Sequence, residues 1–294
     1  MSDISVGRLA PGDQWDQHLY DLLFENRLYP TGLSFKREEG YPEADGCVLL
    51  IPAQYWDKQL DKIAEALARY EWVLAIVTAN EEDIFDASRV WHPNIKWWIQ
   101  TPDMRCGAHH PPGARKVPVG FPAHFDNLPK EPPQKDLDIF LSAQNNHRRR
   151  EKCFAALKQL STSSAVEVHP TDGFTQGMPK EEYVEHTLRA RIVPCPSGIH
   201  CPESFRVYEA LESHCVPVAD DISPIYPSSG YWDALFYDAP FPILKSYTSL
   251  PGWIGDILKS YPGNANTIVA WWMRYKRKMA LFLIDDLRGL GAIK

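Results

Sequence analysis

Arg206 and Glu209 stand three residues apart in the stretch CPESFRVYEALESHCVPV, which predicts a helix followed by a short strand. At this spacing both side chains project from one side of the helix, about one turn from its start. Loops that leave parallel strands and enter helices bind anionic phosphate. The arginine is therefore a candidate ligand of a diphosphate, and the glutamate a candidate acceptor for two ribose hydroxyls. The same spacing is also that of a surface ion pair, worth about 0.3–0.5 kcal/mol.

A second junction, FLSAQNNHRRREK, leaves a predicted strand near Gln144 and enters a helix with three consecutive arginines at its start. Cations are disfavoured at a helix N-terminus, so an anionic partner is expected there. A nucleotide diphosphate would satisfy Arg149 and Arg150 through bidentate contacts. The alternative is a solvated basic face. Two such junctions in one sheet favour a phosphate site.

Three consecutive carboxylates, Glu81, Glu82 and Asp83, follow another predicted strand in the segment IVTANEEDIFD. A carboxylate at a strand end can deprotonate an acceptor hydroxyl. Acidic residues also favour the first turn of a helix, which is the structural alternative. Asp45, before an earlier strand, is a weaker candidate for the same role.

His109 and His110 lie in the segment RCGAHHPPG, which is the nearest approach to a metal motif. Adjacent histidines rarely chelate one ion, and no cysteine or carboxylate stands at ligand spacing from them. The six cysteines form no C-x-x-C pair, so neither a zinc ribbon nor a disulfide framework is indicated. We expect no metal site and reduced, mostly buried thiols.

In the first half of the chain, loop-rich sequence precedes a strand near residues 47–51, and then a helix, DKQLDKIAEALARY, with apolar residues at helical spacing. EWVLAIVT, NIKWWIQTP and ARKVPVGFP predict three further strands. Apolar strands that alternate with helices indicate a parallel α/β sheet.

The segment DNLPKEPPQKD is polar and proline-rich, and it predicts a domain boundary. Strands and helices alternate again after it, and Pro202 is expected in the first turn of the helix that carries Arg206. We predict Rossmann-like domains at 1–126 and 127–265 and a C-terminal helix over 266–294. That helix is amphipathic and should pack across the body, with its apolar face formed by Ile268, Trp271, Trp272, Tyr275 and Met279.

The composition is that of a globular protein of 294 residues, with 44% apolar residues, 23% charged residues and a net charge of −7. The negative charge argues against wholesale adhesion to nucleic acid. No membrane span or signal peptide is evident, so a cytoplasmic protein is expected. Walker A, G-x-G-x-x-G and G-x-S-x-G motifs do not occur, which disfavours kinases, dehydrogenases and α/β-hydrolases.

The segment RIVPCPSGIHCPESFRVYEALESHCVPVADD resembles the donor-binding segment of exostosin-like GT-B glycosyltransferases, with the pattern CP-G…S-R-x-x-EAL-x-x-G-x-VPV. His214 stands where that family usually has glycine. The resemblance implies that Glu209 binds the ribose and that Ser204, Arg206 and the Ser197–Gly198 loop contact the diphosphate. FLSAQNNHRRREKCFAAL is similar to the family's arginine-bearing strand and helix.

The resemblance implies an α/β GT-B fold, with two Rossmann-like domains facing a central cleft, and transfer of a sugar from a nucleoside diphosphate sugar. We expect a metal-independent, inverting reaction with no cofactor beyond this co-substrate, which is expected to be a UDP-sugar. The acceptor is either a glycan or a hydroxylated pyrimidine of phage-type DNA. For DNA, phosphates would be held by basic residues such as Arg115 and Lys116, or Arg274, Lys276, Arg277 and Lys278. Trp97 and Trp98 would stack on a flipped base, unless they pack in the core. A non-catalytic nucleotide-binding module is the alternative.

Overall fold

The computed structural model describes residues 3–10, 15–86, 90, 92–101, 110–129, 133–160, 165–173, 176–222 and 230–294. The chain divides into two compact units. The first comprises residues 1–120 and 274–294, and the second residues 121–273.

The first unit is built on a parallel sheet of six strands in the order β2-β1-β3-β4-β5-β6. Its elements are β1 (Ile4–Arg8), α1 (His18–Phe24), β2 (Phe35–Glu39), β3 (Gly46–Pro52), α2 (Ala53–Arg69), β4 (Trp72–Thr78), β5 (Ile95–Gln100) and β6 (Arg115–Val117). A 3₁₀ turn, Trp15–Gln17, precedes α1. All seven residues of β3 are buried, as expected of a central strand covered on both faces.

The N-terminal region is not the loop-rich segment that the sequence predicts, because it contains β1 and β2. β1 has only five residues, and β2 has the sequence FKREE, in which every side chain is exposed or only partly buried. β2 is an edge strand, and charged edge strands lack the apolar run by which buried strands are recognised. The predicted fourth strand is confined to the three residues of β6.

The second unit has a parallel sheet of five strands in the order β11-β10-β9-β7-β8. Its elements are β7 (Leu137–Gln144), α3 (Arg148–Lys158), β8 (Val166–Thr171), α4 (Lys180–Arg189), β9 (Ala190–Cys195), α5 (Phe205–Glu212), β10 (Val216–Asp220), α6 (Tyr231–Phe236), β11 (Ile243–Leu244), α7 (Leu250–Ser260) and α8 (Gly263–Gly289). α5 begins at Phe205 with Ser204 as its N-cap, so Pro202 precedes the helix and does not lie in its first turn.

Helix α8 is continuous over 27 residues, and its residues are divided between the two units at Met273 and Arg274. Within the second unit the Trp272 indole donates to Glu212 at 2.6 Å. Within the first unit Asp286 accepts from the Trp98 indole at 2.8 Å. No helix in the described part of the chain has the length and apolar character needed to cross a membrane.

Candidate functional site

The carboxyl ends of β7 and β9 lie next to each other in the second sheet. β7 ends at Gln144 and leads into α3, while β9 ends at Cys195 and leads through the Ser197–Gly198 loop into α5. Ligands of open parallel sheets bind at this edge, where helix N-termini supply unpaired N–H groups. The two junctions predicted from the sequence therefore share one edge of one sheet.

His147 caps the N-terminus of α3. Its Nδ1 accepts from the Arg150 backbone N–H at 3.4 Å. Burial, together with the charges of Arg149 and Arg150, lowers the pKa of His147 to about 4, so its ring is neutral at physiological pH. A neutral imidazole keeps the lone pair that the cap requires.

Arg149 and Arg150 hold the Ser197–Gly198 loop. The Arg149 Nε donates to Ser197 Oγ at 2.9 Å, and its Nη2 donates to the carbonyl oxygens of Gly198 at 2.7 Å and Ile199 at 3.0 Å. Arg150 is 7% exposed, and its Nε donates to the Ser197 carbonyl at 3.2 Å. The two guanidinium groups thus fix the backbone of the loop that follows β9.

Asp220, at the end of β10, also holds the Ser197–Gly198 loop in place. Its Oδ2 accepts from the Ser197 backbone N–H at 3.0 Å and from the Tyr247 hydroxyl. Burial raises the pKa of this carboxyl, although these hydrogen bonds act in the opposite direction. A Cβ on residue 198 would lie 3.0 Å from the Glu203 carbonyl oxygen, so a glycine lets the loop fold closely against its own backbone just before α5.

Helix α5 carries the predicted pair. The Arg206 Nε donates to the Ser142 carbonyl at 3.0 Å, which directs the guanidinium toward β7. Glu209 is 5% exposed, and its Oε2 accepts from the Tyr183 hydroxyl at 2.5 Å. Burial raises the pKa of Glu209, while the nearby Arg206 charge and Tyr183 lower it by less. The pair is therefore not a surface ion pair.

Ser204 is the N-cap residue of α5, yet its side chain does not cap the helix. Its hydroxyl oxygen is buried, and no hydrogen-bond partner for it exists among the described residues. A serine at an N-cap normally accepts a backbone N–H. This hydroxyl is thus available to a ligand.

Three cations converge at this edge. Burial is the main reason that the pKa of Arg150 is lowered to about 10, and the charges of Arg206 and Arg149 lower it further. The Gln144 carbonyl accepts from Arg150 Nη1 at 3.3 Å. Three guanidinium groups beside two helix N-termini form a site with a strong preference for an anion.

The structure brings together the donor-site residues that the sequence predicts: Gln144, Arg149, Arg150, Ser197, Gly198, Ser204, Arg206 and Glu209. Sequence reasoning missed His147, Asp220 and Tyr183, which orient them. His147 and Asp220 adjoin the motifs in sequence, and Asp220 ends the VPVAD strand. Tyr183 gives no signal, because its role follows from a contact with a residue 26 positions away.

The carboxyl ends of β4 and β5 form the corresponding edge in the first unit. The Gln100 amide Nε2 donates to the Asp16 carbonyl at 2.8 Å, and its Oε1 accepts from Ala79 N–H at 2.8 Å. Asn80 holds the turn after β4, because its Oδ1 accepts from the backbone N–H groups of Ile84 and Phe85 at 3.1 and 3.2 Å. The predicted carboxylates lie within this turn.

The three carboxylates occupy different environments. Glu82 is exposed, Glu81 is partly buried, and Asp83 is 1% exposed with a left-handed φ of 50°. Asp83 Oδ1 lies 3.1 Å from His110 Nε2, and Lys116 Nζ lies 2.5 Å from His110 Nδ1. Because an ammonium only donates, His110 Nδ1 accepts and its Nε2–H donates to Asp83.

The remaining candidates lie elsewhere. Asp45 is exposed and precedes β3, at the amino edge of the sheet. A strand of seven residues spans about 20 Å, so Asp45 is far from the carboxyl edge. His109 and Cys106 lie outside the described residues. In the part of the chain that is described, no three His, Cys, Asp or Glu side chains lie where they could hold one metal ion.

Two of the basic residues considered for DNA contact, Arg115 and Arg277, and both of the tryptophans make internal contacts. The Arg115 Nε lies 2.5 Å from Asp286 Oδ2, and its Nη2 lies 3.0 Å from Asp285 Oδ2. Arg277 stacks on the Tyr29 ring at 4.9 Å. The tryptophans at positions 97 and 98 are 5% and 0% exposed, so they pack in the core and do not present a surface for stacking.

No protein-family model and no curated protein matches the sequence. Among solved structures, the chain is similar to a mutant of the O-GlcNAc transferase of Thermobaculum terrenum, with 12% identity over 98% of this chain and 67% of that one, and a TM-score of 0.52. Two structures of an α1,3-fucosyltransferase, one with GDP, have TM-scores of 0.43 and 0.44, with 12% and 11% identity over 91% of this chain and 81% of theirs. The predicted fold class, α/β of the GT-B type with two parallel sheets, is confirmed.

Proposed function

We propose that the chain is a glycosyltransferase that moves a sugar from a nucleoside diphosphate sugar to an acceptor hydroxyl. The observation that carries this proposal is the convergence of Arg149, Arg150 and Arg206 at the carboxyl edge of the second sheet. A fold shared with a glycosyltransferase supports it but does not decide it, because one fold hosts many functions. A uridine nucleotide is the proposed carrier.

The arginine cluster suits the departure of a diphosphate. As the bond between the anomeric carbon and the diphosphate oxygen breaks, negative charge develops on the leaving oxygen. Guanidinium groups and helix N-termini that are already in place stabilise that charge without reorganisation. The proposal is therefore a metal-independent reaction, with Ser204 and the Ser197–Gly198 loop as further contacts of the diphosphate.

Glu209 is the proposed ligand of the ribose. The Tyr183 hydroxyl occupies one side of its carboxylate, at Oε2, and so fixes the plane in which Oε1 accepts. The raised pKa of Glu209 is partly offset by the Arg206 charge, and a bound diol adds two more donors to the carboxylate. Gln144, which ends β7 and whose carbonyl accepts from Arg150, is a further proposed contact of the donor.

Inversion at the anomeric carbon requires a base on the acceptor side. Glu81, Glu82 and Asp83 are the candidates predicted from the sequence, and all follow β4 at the ligand edge of the first sheet. Glu82 is the most exposed of them, whereas Asp83 is already bound by His110. Direct displacement with inversion is part of the proposal.

The exostosin-like subtype and a hydroxymethylated pyrimidine in phage DNA as acceptor are finer proposals. Internal pairing of Arg115 and stacking of Arg277 leave these cations less suited to bind a phosphate backbone. A glycan acceptor is the other proposal. The test must therefore offer both acceptors.

Donor binding is measured first, by calorimetry with UDP, GDP and CDP. We expect Arg206→Ala to weaken the preferred nucleotide about 10- to 100-fold, since it removes a charge-assisted contact. Arg189→Ala is the matched control, because Arg189 pairs with Asp136 on the surface of the same unit at 2.9 Å. Equal affinity in both variants and the wild type contradicts the donor site.

Transfer is then measured by mass spectrometry of acceptors after incubation with mixed nucleotide sugars. The panel contains methyl glycosides, oligosaccharides and DNA with 5-hydroxymethylcytosine. A gain of one sugar confirms transfer and names the acceptor, and activity on DNA should fall steeply with added salt. Nucleotide binding without transfer to any acceptor or to water would instead indicate a binding module.

A further inference from the structure

Two oxygen atoms of the 3₁₀ turn Trp15–Gln17 are buried without a hydrogen-bond donor among the described residues. They are Asp16 Oδ2 and Gln17 Oε1. Asp16 is 8% exposed and Gln17 is fully buried. Buried acceptors are nearly always satisfied, because an unsatisfied one costs its whole desolvation free energy. Two adjacent exceptions point to a ligand that supplies the missing donors.

The turn lies at the ligand edge of the first sheet. Gln100, at the end of β5, donates to the Asp16 carbonyl at 2.8 Å, and Gln17 Nε2 donates to Thr78 Oγ1, at the end of β4, at 3.4 Å. These two hydrogen bonds fix the backbone of the turn at Asp16 and the side-chain amide nitrogen of Gln17. The two unpaired oxygens are the only side-chain acceptors of this turn left for a ligand in the described residues.

Asp16 also has the charge properties of a base. Burial raises its pKa, and weaker hydrogen bonds from its own backbone, Thr78 and Ala79 lower it only in part. A carboxylate that is short of donors and has a raised pKa takes up a proton more readily than an exposed one. The arrangement thus supports proton transfer as well as binding.

We propose that Asp16 is the catalytic base of the transfer reaction and that Gln17 binds a second hydroxyl of a polyhydroxylated, carbohydrate-type acceptor. This inference rests on the proposed function and replaces Glu81, Glu82 and Asp83 in the role of base. The acceptor hydroxyl gives its proton to Asp16 Oδ2, and its oxygen bonds to the anomeric carbon. The diphosphate leaves with the electron pair of the broken bond, and Asp16 then releases its proton to water.

The decisive variant is Asp16→Asn, which keeps the shape of the side chain but cannot accept the proton. We expect transfer to fall about 100- to 10,000-fold, the usual contribution of a general base, with unchanged nucleotide affinity because the donor site lies in the second unit. Asp61→Asn, at an exposed position of α2 in the same unit, is the matched control and should keep the wild-type rate, and Glu82→Gln is measured beside it as the rival base. Asp16→Ala tests the same point if the asparagine variant folds poorly.

A second measurement separates catalysis from structure. Since the folded-state pKa of Asp16 is raised, its ionisation lowers stability above that pKa, and this cost is absent below the unfolded-state value of about 3.9. Asp16→Asn should therefore raise the unfolding temperature at about pH 7 and not at about pH 3. A merely structural aspartate would give a variant that is less stable.

Wild-type transfer together with an Asp16→Asn rate within threefold of wild type overturns the inference and leaves the proposed function intact. A large loss in Glu82→Gln instead returns the role of base to that residue. If the wild type binds no nucleotide and transfers no sugar, the proposed function fails first. Transfer to 5-hydroxymethylcytosine DNA but to no carbohydrate overturns the acceptor class.

Discussion

Replacing Tyr183 by phenylalanine removes a single oxygen from the proposed donor site. The lost hydrogen bond joins the Tyr183 hydroxyl to Glu209 Oε2 over 2.5 Å. Burial and the charge of Glu209 raise the pKa of Tyr183 well above its usual value, so the hydroxyl donates at every pH of interest. The variant therefore tests whether this one contact orients the ribose ligand.

The magnitude follows from the environment of Glu209. A hydrogen bond to a charged group contributes about 1.5–3 kcal/mol, and about 1.4 kcal/mol corresponds to a tenfold change in affinity. Glu209 is only 5% exposed, so water replaces the hydroxyl poorly. We expect Tyr183→Phe to weaken UDP binding at least tenfold.

Calorimetry with UDP and 2′-deoxy-UDP is the assay. The wild type should prefer UDP, since the deoxy ligand leaves one acceptor of Glu209 unpaired, and the variant should lose most of that preference. Tyr231→Phe is the control, because it removes a 2.6 Å bond from a tyrosine to Glu203 in the same unit. It should lower stability without changing the ribose preference. Identical affinities and identical preference in Tyr183→Phe would refute the reasoning.

Three further predictions concern the scaffold. Gly198→Ala places a Cβ 3.0 Å from a backbone oxygen, and we expect weaker UDP binding by calorimetry and a lower unfolding temperature. Asp286→Ala removes the acceptor of the buried Trp98 indole and one of the two carboxylates that pair with Arg115, at a cost of about 1–3 kcal/mol in urea unfolding, whereas Asp285→Ala, at 77% exposure, should cost little. The five cysteines of the described residues are buried, so their thiols should resist iodoacetamide at about pH 8 until the protein unfolds, and labelling of any of these five in the folded state, located by peptide mass spectrometry, would contradict this. Burial raises the pKa of four of them: Cys47, Cys153, Cys195 and Cys215.

Local patterns predicted the second unit well. Helical spacing placed Arg206 and Glu209 on one side of α5, and the apolar run before them predicted β9. The structure also shows why the matching pattern usually has glycine at position 214: His214 has a left-handed φ of 56°, a conformation that favours glycine. Its neighbour Cys215 donates to the Ala210 carbonyl at 2.8 Å, which closes the helix in a Schellman motif.

Features that depend on distant contacts were not predictable. The burial of Asp16 depends on packing with residues distant in sequence, such as Gln100, 84 positions later, which donates to its carbonyl. Nothing in the residues around Asp16 indicates this burial, so the sequence analysis predicted the base among the consecutive carboxylates Glu81, Glu82 and Asp83 instead. β2 was missed for a similar reason, since only its pairing with β1 reveals it as a strand.

The division of helix α8 at Met273 and Arg274 has a practical consequence for protein engineering. The first unit is made of two separate pieces of chain, so no single cut releases either half with all of its own residues. Exchange of one half for that of another protein of the same fold requires two junctions, one near residue 120 and one inside a helix. A chimera that exchanges the second unit should therefore carry the segment 121–273 as a cassette and retain the native C-terminal segment.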